Sequence, residues 1–383
     1  MYGFEPTEEQ RAIEAMARGF AADRLAPHAV AWDQAKHFPI DVLREAAALG
    51  MGGIYVDEAR GGTGLGRLDA TLIFEALAHG CPTIAAFLSI HNMCAWMIDA
   101  FGNDAQRARF LPGLCSMATI ASYCLTEPNA GSDAGALATR ARRDGDDYVI
   151  DGSKSFISGG GVSDLYLAMV RTGEPGPRGI STVLVEKGTE GLSFGANERK
   201  MGWNAQPTAQ VIFENCRVPA ANLLGTEGAG FKYAMQALDG GRLNMAASSL
   251  GAAQEALDRT LVYMREREAF GQRLDSFQAL QFRLADMETE LEAARVFLRQ
   301  AAWKLDRGDS DATAHCAMVK RFVTDIAFRV ANEALQLHGG YGYLADFGLE
   351  KIVRDLRVHQ ILEGSNEIMR VIIARAMLAR DIE

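Results

Sequence analysis

Apolar residues recur at three- and four-residue spacing near 8–25, 40–50, 68–80, 85–100 and 104–112, separated by Gly or Pro, and this period predicts a helical region reaching about residue 118. At its start, Pro6-Thr7-Glu8-Glu9-Gln10 has the capping-box pattern, in which the Thr7 hydroxyl caps the helix and Gln10 answers it. From Thr119 the period shortens. The stretches 119–126, 148–150, 155–158, 165–170, 181–185 and 210–213 are rich in β-branched or aromatic residues and predict strands. Asp144-Gly145 and Asp151-Gly152 read as hairpin turns, because these residues tolerate positive φ. After Pro219 the helical period returns, with long helices near 229–265, 276–306 and 310–338 and shorter ones near 346–356 and 366–380. Such lengths suit a bundle, and apolar positions on several faces of 229–257 suit burial against neighbouring subunits. The pattern predicts an α+β chain with an N-terminal helical domain (1–118), a middle antiparallel β-domain (119–222) and a C-terminal four-helix-bundle-like domain (223–383).

At 383 residues the chain exceeds one typical core, and 48% apolar with 23% charged residues is the composition of a folded globular protein. A net charge of -10 without a dense Lys/Arg run argues against nucleic acid as a partner. No apolar stretch reads as reaching the roughly 20 residues that span a bilayer, and the segment 1–19 is polar where a signal peptide is apolar. We expect a soluble intracellular protein with no membrane partner: cytoplasmic from the start at Met1 without a transit peptide, or in the mitochondrial matrix for a processed chain. The six cysteines form no C-x-x-C pair and read as reduced, packed thiols. The seven histidines offer no zinc-like spacing, so no metal is expected.

Taken one at a time, the candidate chemical residues are ambiguous. Gly61-Gly62-Thr63-Gly64-Leu65-Gly66 lacks the preceding strand of a dinucleotide fingerprint and reads as a surface loop or one bordering a ligand. The run Tyr123-Cys124-Leu125-Thr126-Glu127-Pro128-Asn129-Ala130-Gly131-Ser132-Asp133 leads a strand into small residues whose backbone can approach a flat ring or a phosphate, or form an ordinary turn. Arg267 lies in a charged run that fits a solvated helix face, and Phe156 fits a hairpin core. Glu363 follows Ile361-Leu362 and precedes Gly364 and the capping candidates Ser365 and Asn366, so its carboxylate emerges at a turn before a helix.

Together these stretches resemble the acyl-CoA dehydrogenase family. The likeness runs from 123–133 through Phe156-Ile157-Ser158-Gly159, Arg267-Glu268-Ala269-Phe270-Gly271 and Gln336-Leu337-His338-Gly339-Gly340 to Ile361-Leu362-Glu363-Gly364-Ser365-Asn366-Glu367, covering essentially the whole chain. Within the family it is strongest toward short branched-chain members, in Gly202-Trp203-Asn204-Ala205-Gln206-Pro207-Thr208, Gly339-Gly340-Tyr341-Gly342-Tyr343 and Arg357-Val358-His359-Gln360. The resemblance implies FAD as cofactor, its ring between Tyr123, Leu125, Thr126 and Phe156, Ser158, with Thr126 and Ser158 at the ring edge and Phe156 stacked where the family more often has Trp. It implies Arg267 of a neighbouring subunit on the pyrophosphate, with Phe270, Gln278, Gln336, Gly339, Gly340, Ser365, Glu367 and Ser132 also on the cofactor side. Acyl-CoA contacts are implied for Ser132, Asp239, Arg242, Leu362, Gly364 and Arg375.

The implied catalytic base is Glu363. Some members carry the base immediately before the arginine that corresponds to Arg242, but here that residue is Gly241. Glu363 would remove the α-proton of an acyl-CoA while hydride leaves Cβ for the flavin, with the thioester carbonyl polarised by the Glu363 backbone N–H and a ribityl hydroxyl. Leu362, where several straight-chain enzymes of the family carry a bulky aromatic, implies room for an α-methyl group. The expected reaction is isobutyryl-CoA to methacrylyl-CoA in valine catabolism, with 2-methylbutyryl-CoA and butyryl-CoA as competing substrates. Electron-transferring flavoprotein is the implied acceptor and a homotetramer, a dimer of dimers, the implied assembly. A flavin oxidase or monooxygenase and a non-catalytic scaffold on the same fold are the alternatives.

Overall fold

A computed structural model describes residues 6–379. Helices α1 (Glu8–Phe20), α2 (Ala29–Ala35), α3 (Ile40–Ala48), α4 (Arg67–Gly80), α5 (Pro82–Phe101) and α6 (Asp104–Cys115) come first. Strands β1 (Ala121–Cys124), β2 (Arg140–Asp144), β3 (Asp147–Ser158), β4 (Leu165–Arg171), β5 (Ile180–Glu186), β6 (Leu192–Phe194), β7 (Thr208–Pro219) and β8 (Leu223–Leu224) follow. Then come α7 (Gly230–Glu266), the short β9 (Glu268–Ala269) and β10 (Gln272–Arg273), and α8 (Gln278–Asp306), α9 (Ala312–Leu337), α10 (Leu349–His359) and α11 (Asn366–Leu378). The capping box at α1 forms as expected: Gln10 N donates to Thr7 Oγ1 (3.2 Å) and Thr7 N to Gln10 Oε1 (3.1 Å).

The sheet runs β6-β7-β3-β2-β4-β5-β8, antiparallel along most of its path, with β1 joining β4 in parallel. Strand β4 is buried on both faces, which is why its sequence is a nearly unbroken apolar run. Leu165, Leu167 and Met169 pack with Met93, Phe110 and Leu111 of the helices, while Tyr166, Ala168 and Val170 pack with Ile150, Val183 and Val211 of the sheet. The turn signal at Asp144-Gly145 is a hairpin, with Asp144 paired to Asp147; of the loop residues only Gly145 takes positive φ, at 61°, as a type II′ turn requires. The second signal is corrected by the structure. Asp151-Gly152 lies inside β3, where Gly152 takes φ 140° at a register shift against β7 and leaves no room for a Cβ beside Thr139 (2.6 Å from Oγ1).

The N- and C-terminal helices share one core, in which Phe74 and Leu77 of α4 pack in the same cluster as Leu250 and Leu257 of α7, Leu298 of α8 and Val323 of α9. Helix α7 is therefore covered on several faces by its own chain, α4, α5, α8 and α9, which corrects the reading of its apolar faces as subunit contacts. At Gly251 an added Cβ would overlap the Glu75 carbonyl oxygen, so α7 and α4 approach as closely as they do only because that side chain is missing. Helix α5 also corrects an expectation. It is 20 residues long and apolar enough to cross a membrane, but 72% of its most apolar window is buried in the fold, as in the core helix of a globular domain. All six cysteines are free and buried.

Candidate active site

Helix α10 ends at His359 and α11 begins at Asn366, and the turn between them is fixed from both sides. Ile361 N (2.8 Å) and Leu362 N (3.0 Å) both donate to Val358 O, and Asn366 N closes onto Gln360 O (3.0 Å). Glu363 takes φ 53° and Gly364 φ 90°, so a non-glycine residue is held in the left-handed region at the centre of the turn. Two buried cations grip the carbonyls that this conformation exposes: Arg242 Nε donates to Glu363 O (3.3 Å) and Lys320 Nζ to Gly364 O (2.8 Å). Lys320 Nζ also reaches Asn366 Oδ1 (3.0 Å), whose amide nitrogen donates to Thr324 Oγ1 (3.0 Å) and Asp325 Oδ1 (2.8 Å). Asn366 thus looks inward, and Ser365 occupies the N-cap of α11 without a side-chain capping bond, contrary to their reading as caps.

The Glu363 side chain points into this assembly. Its Oε2 is buried with no hydrogen-bond partner, and its backbone N–H has no acceptor among the described residues. Burial raises the carboxyl to a pKa of about 7, against the opposing pull of Lys320 and Arg242. Space for the carboxylate exists because residue 241 has no side chain: a Cβ there would meet Oε2 and lie 2.9 Å from Cδ. Arg242 Nη1 donates to Asp239 Oδ1 (2.7 Å) and Thr313 Oγ1 to Asp239 Oδ2 (2.6 Å), so both Asp239 oxygens are engaged. Asp239 and Arg242, expected to touch an acyl-CoA, brace the Glu363 turn from α7.

Leu362 packs on a small cluster of Ala86, Trp203 and Met245. Trp203 takes φ 54° and is tied down twice: its N–H donates to Asp355 Oδ1 (2.6 Å) and its indole Nε1 to His359 Nε2 (3.2 Å). Because His359 Nε2 accepts, its proton sits on Nδ1 and points at Ser249 Oγ (2.7 Å), which in turn donates to Met245 O (2.7 Å). Burial, with Lys320 nearby, pushes His359 down to about 3, so the ring stays neutral and the tautomer fixed.

On the sheet side, β1 delivers Tyr123, whose hydroxyl donates to Ala234 O (3.4 Å), and runs into Leu125 and Thr126. Ser155 N donates to Thr126 O (2.8 Å), which places the end of β1 beside Phe156 and Ser158 of β3. Lys154 and Glu127 hold the pair of segments from below: Nζ reaches Glu127 Oε1 (2.8 Å) and Leu125 O (3.2 Å), and Glu127 accepts from Thr139 N (2.9 Å). Phe156 takes φ 59° and is 66% exposed, an aromatic ring presented in a strained backbone rather than a core side chain. The Thr126 and Ser158 hydroxyls have no protein partner among the described residues. Ser132 is exposed in the loop beyond.

A second surface gathers the remaining cofactor candidates. Arg267 caps α7 and lies over the Tyr341 ring (5.5 Å), in a pocket of about 340 Å³ that also includes Tyr263, His338, Gly339 and Gly340. Beside it, Ala269 pairs with Gln272, leaving Phe270 (φ 53°) and Gly271 (φ 76°) as a type I′ turn with Phe270 96% exposed at its tip. Gln278 begins α8 and Gln336 lies in the last turn of α9, both exposed, as is Glu367. Arg375 is exposed on the side of α11 opposite Asn366. None of these residues, apart from Glu367 in the first turn of α11, adjoins the Glu363 turn in the chain.

Two other candidates resolve as structural. In the Gly61–Gly66 loop the backbone N–H groups are spent on the chain itself: Gly62 on Asp57 O, Thr63 on Gly53 O, Gly64 on Val56 O and Leu65 on Ile54 O, leaving no cradle for a phosphate. His79, Glu255 and Asp258 come together, but Nδ1 faces Glu255 (3.1 Å) and Nε2 faces Asp258 (3.0 Å), a side-chain bridge between α4 and α7. The residues that sequence reasoning passed over are Lys320 and the Lys154–Glu127 pair. Lys320 left a signal, since it interrupts the apolar face of α9 between Cys316 and Val323.

Comparison with known proteins places these features in a wider set. Models of the acyl-CoA dehydrogenase N-terminal, middle and C-terminal domains match residues 7–118, 122–216 and 228–378. The chain is 55% identical to a mitochondrial isobutyryl-CoA dehydrogenase of Bos taurus, covering 97% of this chain and 89% of that protein. It is 56% identical to the Dictyostelium discoideum protein of the same description, over 98% and 90%. Among solved structures, butyryl-CoA dehydrogenase from Megasphaera elsdenii superposes with a TM-score of 0.95 at 38% identity, over 98% of this chain and 100% of that one.

Proposed function

The chain belongs to the acyl-CoA dehydrogenase family, and on that premise we propose that it is an FAD-dependent enzyme that desaturates a short branched acyl-CoA, isobutyryl-CoA first, with Glu363 as the base. The observation that carries the reading is the buried, unpartnered Oε2 of Glu363 with its proton affinity raised to about 7. A carboxylate in water is far too weak a base for the α-proton of a thioester; stripped of hydrogen bonds and held where only a ligand can meet it, it becomes competent. The unengaged Glu363 N–H is placed to donate to the thioester oxygen, stabilising the charge that develops as the proton leaves.

The residues present fit FAD. Phe156 offers an exposed ring, the Thr126 and Ser158 hydroxyls are unspent, and Tyr123 and Leu125 close the same end of the sheet. Arg267, Phe270, Gln278, Gln336, Gly339 and Gly340, with Ser365 and Glu367, would hold the rest, Arg267 supplying a guanidinium to phosphate. FAD, when bound, supplies the acceptor for the hydride that leaves Cβ. That Arg267, Gly339 and Gly340 lie in a surface pocket apart from the Glu363 turn supports a cofactor shared between subunits, within the homotetramer we propose. Electron-transferring flavoprotein is the proposed acceptor, and Ser132, Asp239, Arg242, Leu362, Gly364 and Arg375 are the proposed substrate contacts.

The test is anaerobic titration of the flavin absorbance with isobutyryl-CoA, 2-methylbutyryl-CoA and butyryl-CoA. Isobutyryl-CoA is expected to reduce the enzyme most efficiently, by about tenfold or more over its straight-chain isomer butyryl-CoA, which is the discrimination that one methyl group well or badly accommodated in a pocket supplies. A preference for butyryl-CoA would shift the assignment to the straight-chain alternative, and rapid peroxide formation in air would favour an oxidase. Acidity should also govern the rate. Only ionised Glu363 accepts a proton, so reduction is expected to fall about tenfold per pH unit below a midpoint near 7. A rate that is flat from pH 5 to pH 8 would remove Glu363 as the base.

A further inference from the structure

We infer that Lys320 is a positioning residue of the active site: its buried ammonium, bonded to the carbonyl that follows Glu363 and to Asn366, holds the base turn from behind and keeps the Glu363 carboxylate ionisable. A lysine with no exposed surface is costly unless it is paired, and this one has no carboxylate in hydrogen-bond contact. Its acceptors are Gly364 O at 2.8 Å and Asn366 Oδ1 at 3.0 Å, both neutral. The formal countercharge is therefore left to a group not bonded to it, and the carboxylate that acts on Lys320 most strongly is Glu363, on which Lys320 in turn acts more strongly than any other charge.

The surroundings support the assignment. From α7, Arg242 faces the base but is already neutralised by Asp239; from β1, Tyr123 contributes an un-ionised phenol, its acidity suppressed by burial; Asp325 of α9 and Glu367 of α11 act on Lys320 rather than on Glu363. Lys320 is thus the cation whose charge is not cancelled within its own contacts. Without it, burial would be opposed by Arg242 alone, and the carboxyl would hold its proton further into the neutral range. The geometry has a second effect. Because Nζ pulls on Gly364 O while Arg242 Nε takes Glu363 O, consecutive carbonyls are drawn toward different helices, which fixes the left-handed conformation of Glu363 that aims its side chain at Gly241.

This inference rests on the proposed role of Glu363 as base, and its test separates the two. Lys320→Met, Lys320→Gln and Lys320→Arg are prepared as flavin-loaded full chains. The ionisation of Glu363 is followed directly, by the pH-difference infrared band of its carboxyl C=O, assigned by its loss in Glu363→Gln, and independently by the pH profile of anaerobic reduction with isobutyryl-CoA. Lys320→Met is expected to move both midpoints up by about one pH unit, so that at pH 6 the rate falls about tenfold below wild type and recovers as pH rises. Lys320→Arg, which keeps the charge, should retain a midpoint near that of wild type. Lys320→Gln keeps a polar donor, on a side chain one bond shorter, without the charge, and carries the same test if Lys320→Met does not fold. Unchanged midpoints in the neutral variants, or a rate lowered equally at every pH, would overturn the inference; failure of wild type to reduce its flavin with any of these thioesters would instead overturn the proposed function.

Discussion

Glu363→Gln is expected to lower the rate of flavin reduction by isobutyryl-CoA by about 10²–10⁴-fold, the range that a positioned general base contributes. The substitution is nearly isosteric. It leaves Arg242 Nε on the residue 363 carbonyl and Lys320 on Gly364 O, since both bonds go to the backbone. Cofactor content and the affinity for a non-reacting acyl-CoA should therefore stay within a few-fold of wild type, and stopped-flow absorbance under anaerobic conditions is the direct measurement. Bleaching at the wild-type rate would mean that another group takes the proton. The same variant has a stability signature of opposite sign. The Glu363 carboxyl has an ordinary value near 4.5 and is raised to about 7 in the fold, so the folded state holds the proton more tightly. Its contribution to stability is complete below about pH 4.5 and is lost as pH rises through 7. Glu363→Gln should accordingly gain in melting temperature relative to wild type between pH 5 and pH 8, the trade expected of a site whose chemistry needs an unfavourable environment.

Gly241→Ala is expected to reduce the rate about 10²-fold while leaving the helix intact. Residue 241 lies inside α7 with ordinary helical backbone, where alanine is favoured over glycine by about 1 kcal/mol, so nothing local opposes the change. The cost falls on the base. The new methyl would meet Oε2 and lie 2.9 Å from both Cδ and Oε1, so the carboxylate must swing away from the position in which its oxygen is buried and free. A displacement of about 1 Å is enough for a loss of this size. Chemical denaturation together with the reduction rate checks both halves, and an unimpaired rate would show that the carboxylate does not work from the position described. The same contact explains why the family's two base positions exclude each other here. A side chain at 241 would enter the space the Glu363 carboxylate occupies, so under the proposed function α7 and the turn would not both supply a base.

Much of this fold is legible in the chain because the signals are local. The three long helices α7, α8 and α9, the capping box at Thr7 and the fully buried strand β4 follow from period and composition within one stretch of sequence. The elements that escaped are those with weak local signals. Helix α2 is short and has no side-chain cap, and strands β2 and β6 are largely exposed or polar, held in place by β3 and β7 rather than by their own pattern. Asp151-Gly152 carries the residues of a turn and became a bulge, because β7 and Thr139 close over it from outside the local segment.

The site divides along the same line. By itself the sequence identified Glu363, Phe156 and Arg267 as notable once their motifs were read together, and Gly241 as the place where a rival base is missing. Only the tertiary structure decided what the carboxylate can do. Its burial, the empty space at Gly241, the ammonium of Lys320 behind the turn and the Arg242–Asp239 brace come from α7, α9 and the α10–α11 turn, elements far apart in the chain. Proton affinity depends on solvent exclusion and on the distance to other charges. Both are properties of positions in space, and only folding brings those positions together.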